Sequence, residues 1–139
     1  MKYLGLDLGT KTLGTSLSDE RGVFAFFHKT YFFEEENYQS VLPELKELVE
    51  KEKVDKIVLG LPKNMNNTLG EAAERCMNFQ KLLEENLEKE VIFQDERLST
   101  KEASTYMITA NMSRKKRKKK IDGLAATIIL QTYLDRKGD

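Results

Sequence analysis

Tyr3-Leu4-Gly5-Leu6-Asp7-Leu8-Gly9-Thr10-Lys11 is the stretch from which the rest of the chain can be read. Residues 3–8 form a short apolar run, the pattern of a strand covered on both faces. Gly9-Thr10-Lys11 then predicts a tight turn, and Leu13–Leu17 a second strand. Ser18-Asp19-Glu20-Arg21-Gly22 predicts another turn. Val23–Phe32, rich in Phe and Tyr, predicts a third strand. Three strands joined by short Gly-containing turns make an antiparallel meander.

Beyond the meander the apolar period changes. Tyr38, Val41, Leu42, Leu45, Leu48 and Val49 recur at helical spacing. Val54–Leu61 reads as a strand that ends in Gly60-Leu61-Pro62, and Leu69–Leu87 as a helix. Val91-Ile92-Phe93 is a short strand that leads into Asp95-Glu96-Arg97. Ser99 with Glu102 has capping-box spacing and predicts a helix through about Ala110. The last helix is traced by Ile121, Leu124, Ala125, Ile128, Ile129 and Leu134. This order predicts an α/β fold. Its mixed five-stranded sheet, three antiparallel strands plus two parallel, is flanked by helices.

The 139 residues are expected to form a single domain, residues 1–139. An apolar fraction of 40% and a charged fraction of 33% are those of a soluble globular protein. No apolar run approaches the roughly 20 residues of a membrane span, and Asp7 interrupts any signal-peptide core, so the expected location is cytoplasmic. One Cys (Cys76) and one His (His28) leave no basis for an internal disulfide or a Cys/His zinc site.

The net charge is zero, but it is unevenly placed. Residues 114–120 are seven consecutive Arg and Lys; without them 16 basic residues face 23 acidic ones. A local cluster of this kind is the electrostatic footprint of a polyanionic partner. The bland reading is a solvated loop, and a nuclear localisation signal is a rival explanation. What favours phosphate binding is that the run directly precedes Asp122. Nothing in it reads bases, so it implies affinity without sequence specificity.

Three acids are candidates for chemistry. Asp7 lies inside an apolar strand, where a carboxylate is costly unless paired or metal-bound; the plain alternative is an Asp that braces the turn at Gly9. Asp95 and Glu96 follow a strand end, a usual place for functional groups. In extended chain they point to opposite faces, so at most one reaches a shared site. Asp122 is expected to open the final helix, where an Asp is commonly just a favourable charge at the helix N-terminus. Ile121, Leu124 and the small Ala125 and Ala126 instead imply close packing on the sheet, near the strand that carries Asp7. Three oxygen donors and no soft ligand suit Mg²⁺ or Mn²⁺, which can support phosphodiester cleavage. Lys11, Thr10 and Arg97 are further candidate phosphate contacts. Asn64, Asn66 and Asn67 are weaker ones, and His28 reads as structural.

Four segments in order carry a family resemblance. They are Gly5-Leu6-Asp7-Leu8-Gly9-Thr10-Lys11 with Gly14 and Ser18-Asp19; Gly60-Leu61-Pro62 with Met65 and Gly70; Asp95-Glu96-Arg97-Leu98-Ser99-Thr100 with Ala103; and Ser113-Arg114-Lys115-Lys116 followed by Asp122-Gly123-Leu124-Ala125-Ala126, Ile129-Leu130-Gln131 and Tyr133-Leu134. The chain resembles the YqgF/RuvX family of Holliday-junction-resolvase-like proteins, also described as processors of precursor small-subunit ribosomal RNA. The resemblance implies a ribonuclease H-like fold and a Mg²⁺-dependent (or Mn²⁺-dependent) nuclease that cuts a precursor of 16S rRNA or branched DNA. Its catalytic, metal-holding acids fall on Asp7, Glu96 and Asp122, and its nucleic-acid contacts on Lys11, Arg97, Arg114, Lys115, Lys116, Arg117 and Lys118. Two departures stand out: Thr12 where relatives usually carry Arg, and Asn66-Asn67 where a glycine usually follows the Met. The expected partner is nucleic acid, with no membrane, and the expected state is a monomer or weak homodimer. Two other classes compete: a nucleic-acid-binding module without catalysis, and a fragment of an actin-like ATPase, whose Asp-Leu-Gly-Thr turn is similar but whose architecture needs two such domains.

Overall fold

The computed structural model describes residues 1–35, 37–62, 70–95 and 114–137; within the last segment, side chains are described from Leu124 onward. Five strands form one sheet in the order β3-β2-β1-β4-β5: β1 (Tyr3–Leu8), β2 (Thr12–Ser18), β3 (Ala25–Phe32), β4 (Lys56–Leu61) and β5 (Val91–Asp95). β1 is central. It pairs antiparallel with β2 and parallel with β4, so the meander and the α-β alternation meet at the strand that carries Asp7. The helices are α1 (Leu42–Lys51), entered through a 3-10 turn at Tyr38–Val41, α2 (Glu71–Leu87) and α3 (Arg114–Lys137).

Period-two alternation divides every strand between two environments. Leu4, Leu6, Leu13, Leu17, Ile57, Leu59 and Val91 face α1 and α2, and they bury there with Leu45, Cys76, Phe79 and Leu83. Tyr3 and Val58 face the other way and pack on Ile129, Leu130 and Leu134 of α3. The contact with α3 is close because β1 carries Gly5 at the crossing. A Cβ there would lie 2.4 Å from Ser16 Oγ and 2.7 Å from Leu130 Cβ. Ser16 Oγ donates to the Ala126 carbonyl at 2.9 Å, which satisfies a buried hydroxyl at the same point. Gln131 ties α3 to β3: its Oε1 accepts from Ala25 N and its Nε2 donates to Val23 O, each at 2.9 Å.

The two hairpins have local causes. Gly9 N donates to Thr12 O at 2.8 Å, which leaves Thr10 and Lys11 at the tip of the β1–β2 turn. Between β2 and β3, Asp19 Oδ1 accepts from Val23 N at 2.8 Å and from Phe24 N at 3.0 Å. Gly22 there adopts φ +72°, a left-handed conformation that suits glycine.

The chain order of the strands, the antiparallel meander with two further parallel strands, and the placement of α1 and α2 are as the sequence predicts. The final helix differs. It begins at Arg114, not near Ile121. The basic run is therefore helical backbone rather than a loop, and Asp122 lies in the third turn instead of opening the helix. Lys and Arg are good helix formers, and the packed segment that follows extends back through them. The helix predicted over 99–110 lies outside the described residues.

Candidate active site

Asp7 sits one pair from the end of β1, half-buried. Strand parity puts it on the α3 side, with Tyr3 and Gly5, and across from Gly14 of β2. Gly14 in turn pairs with Thr30 of β3. On the other flank the β1–β4 ladder runs through Leu6 and Leu59, so its next step sets Gly60 beside Asp7. Gly60 pairs with Gln94 of β5. One row across the sheet thus reads Thr30, Gly14, Asp7, Gly60, Gln94. Glycines thus stand beside Asp7 on both neighbouring strands, where backbone can be approached closely.

Helix α3 runs antiparallel to β1 over this face. Tyr3 meets Tyr133, with ring centroids 5.7 Å apart, and Lys137 Nζ lies 5.2 Å from the Tyr3 ring centre. Two residues along β1, Gly5 meets Leu130 and Ala126. Two strand residues rise about 6.7 Å, and four to five helix residues cover the same length at 1.5 Å each. The backbone of residues 122–126 is the next stretch of α3 at that pace, level with Asp7. Asp122 belongs to that backbone stretch, four residues before the buried Ala126.

Lys11 is exposed at the hairpin tip, at the same end of β1 as Asp7. Arg114, Lys115, Lys116, Arg117 and Lys118 occupy the first turns of α3; their side chains, like that of Asp122, lie outside the described residues. Glu96 and Arg97 also lie outside them, as do Asn64, Asn66 and Asn67. Asp95 pairs with Leu61, which packs on the α1/α2 core, and so belongs to the face opposite Asp7. Among the described residues, no three of His, Cys, Asp and Glu gather as a metal site.

Gln94 is a residue the sequence reading missed. It is 5% exposed and faces α3 in the Asp7 row. β5 runs two residues past Phe93, and the alternation Val91, Phe93 inward would have set Gln94 on the other side. His28 is the extra residue of a bulge between β2 and β3, where Thr15 pairs with Lys29 and Ser16 with Phe27. His28 is exposed, and local desolvation holds its imidazole below the usual pKa.

The model of a family described as "RuvX: Holliday junction resolvase" matches residues 1–136. The chain belongs to the RuvX family. It is 52% identical over 137 residues to a protein of Geobacillus sp. (strain WCH70) named "Putative pre-16S rRNA nuclease", with 99% of each chain covered. A protein of the same name from Bacillus cereus (strain AH187) is 50% identical over 137 residues, covering 99% of this chain and 100% of its own. The RuvX chain also shares its fold with RuvC of T. thermophilus in complex with a Holliday junction substrate. That match has TM-score 0.60 and 15% identity, and covers 99% of this chain and 97% of that one. Fowlpox virus resolvase with Holliday junction DNA matches at TM-score 0.58 and 13% identity, each chain fully covered. The ribonuclease H-like expectation is thereby met. Among the described residues, no helix is long and apolar enough to cross a membrane.

Proposed function

We propose that this RuvX-family chain is a metal-dependent nuclease, that its reacting phosphodiester lies over the Asp7 row, and that Asp7, Glu96 and Asp122 form the metal-holding set. One observation carries the reading: α3 descends antiparallel to β1, so its backbone near Asp122 reaches the level of Asp7. Alternation along β5 adds to it. Asp95 belongs to the α1/α2 face, which leaves Glu96, outside the described residues, as the candidate of that acidic pair.

The donor chemistry fits the ion. Asp7 is a half-buried carboxylate between two glycines, and Gln94 offers a neutral amide in the same row. Hard oxygen donors suit Mg²⁺ or Mn²⁺. A bound divalent ion would supply charge stabilisation at the phosphoryl oxygens and favour ionisation of water. The chain's own groups do the rest. Lys11 neutralises phosphate at the hairpin end, and Arg97 is a further candidate contact from the sequence. The basic turns of α3, which continue past the end of β1, hold the nucleic-acid backbone by charge without reading sequence. The packed half of α3 closes one side of the site and fixes the direction of approach.

The relatives' names supply the substrate class: the precursor of 16S rRNA, with branched DNA as the alternative from the resolvase family. We read residues 1–139 as one ribonuclease H-like domain that works in the cytoplasm. Incubating labelled precursor RNA and four-way-junction DNA with Mg²⁺, for wild type and Asp7→Asn, tests the mechanism. Cleavage by wild type alone is expected; equal cleavage by both removes it. A binding module without catalysis is the second reading, favoured by the cations concentrated in one helical segment. It predicts RNA affinity that falls steeply with salt and no Mg²⁺-dependent cleavage by either protein.

A further inference from the structure

Among the described residues of β3, four aromatic rings differ in what covers them. Tyr31 is buried in the α1/α2 core, whereas Phe26, Phe27 and Phe32 are 58%, 52% and 74% exposed. A lone exposed Phe needs no explanation by itself; the position of Phe32 is what gives it meaning. Phe32 pairs with Thr12, two residues before Gly14, which pairs with Asp7. Parity therefore puts its ring on the face of Asp7, at the same end of the sheet. Two strand spacings across and two residues along separate the two positions by about 12 Å. Phe26 pairs with Leu17 of the α1/α2 core and so has the opposite face. Phe27 pairs with Ser16, at the crossing that α3 covers.

The surroundings of Phe32 suit a base. Thr12 across from it is short, and the Phe32 ring is largely exposed. Phe33 N donates to Lys11 O at 3.0 Å. That bond staples the backbone beside Phe32 to the hairpin tip that carries an exposed ammonium. A flat apolar ring next to a cation, on the face of the scissile phosphate, is the pairing that single-stranded nucleic acid finds on its binding proteins.

We propose that Phe32 stacks on an unpaired base of the substrate, a nucleotide close to the phosphate bound over Asp7, and so selects single-stranded over duplex segments. The proposal takes its substrate class from the nuclease reading above. Its test does not need cleavage. The chain has no Trp, so Phe32→Trp places a single Trp, excited selectively over the tyrosines at long wavelength, at the site, and Asp7→Asn in the same chain prevents turnover. Titration with a single-stranded RNA oligonucleotide is expected to quench the Trp emission saturably, with a blunt duplex of the same sequence doing so far less. In parallel, Phe32→Ala is expected to weaken single-strand affinity about tenfold, and Phe32→Tyr to restore it. RNA binding without quenching overturns the proposal, as does an absence of RNA binding. An emission change that grows with protein concentration in the absence of RNA also overturns it, because the ring would then serve self-association. If wild type cleaves and Asp7→Asn does not, yet Trp emission ignores RNA, the stacking role fails and the nuclease reading stands. Quenching with no cleavage by wild type separates the two in the other direction.

Discussion

The two faces of the sheet are made by alternate residues of the same strands, yet they are built from different materials. Toward α1 and α2 the strands present Leu4 and Leu6, Leu13 and Leu17, Ile57 and Leu59, all buried in one aliphatic cluster with Phe79 at its centre. Toward α3 the same strands present Gly5 and Asp7, Gly14 and Ser16, Val58 and Gly60, Ile92 and Gln94. The first face is filled to exclude water and gives the fold its cohesion. The second is filled at one end by Tyr3, Ile129, Leu130 and Leu134, and toward the other it carries small and polar residues around the Asp7 carboxylate. On the proposed reading, stability and chemistry are separated by nothing more than the pleat.

That division is broken most severely on the filled face. Phe79→Ala should cost about 3–5 kcal/mol, read as a lower denaturant midpoint, because Phe79 is completely buried. Asp7→Asn should behave in the opposite way. The unfolding midpoint should stay close to wild type while cleavage falls at least about a hundredfold, beyond the usual loss for groups one contact removed from a metal. Gly5→Ala probes the seam between faces. Its new Cβ would meet Ser16 Oγ and Leu130 Cβ below 3 Å, so α3 must lift, at about 1–3 kcal/mol, and activity should fall with stability. Gln131→Ala should cost about 1 kcal/mol by leaving Ala25 N and Val23 O without their partner. The smallest effect belongs to Asp19, whose carboxyl is held below its usual pKa by the amides of Phe24 and Val23. A pKa depressed in the folded state means the contribution is present above the unfolded value and is lost as pH falls through the folded one. Amide exchange in the Asp19–Phe24 turn should therefore rise at acid pH before the core opens, and Asp19→Asn should remove that dependence.

Much of this was readable from residue order. The apolar stretches of β1 and β4 and the change to helical spacing at Tyr38 fix the elements, and Asp7 betrays itself as an acid inside hydrocarbon. The start of α3 was not legible. Seven like charges look like a solvated loop, and only the packed residues downstream of them, from Ala125 to Leu134, show why helix persists back to Arg114. Asp122 thereby loses its explanation as a charge in the first helical turn, since the helix dipole acts mainly within that turn. Gln94 escaped because Val91-Ile92-Phe93 gives no sign of where β5 ends. The facing of Phe32 depends on a bulge at His28 that shifts pairing along β3, and no short-range pattern announces it.

Binding of Mn²⁺, followed by calorimetric titration of wild type and of Asp7→Asn, Glu96→Gln and Asp122→Asn, tests the shared site most directly. Three folded variants that each bind the ion at least about tenfold more weakly are the expected result. Wild-type affinity in any one of them would contradict the convergence of these acids over the α3 face.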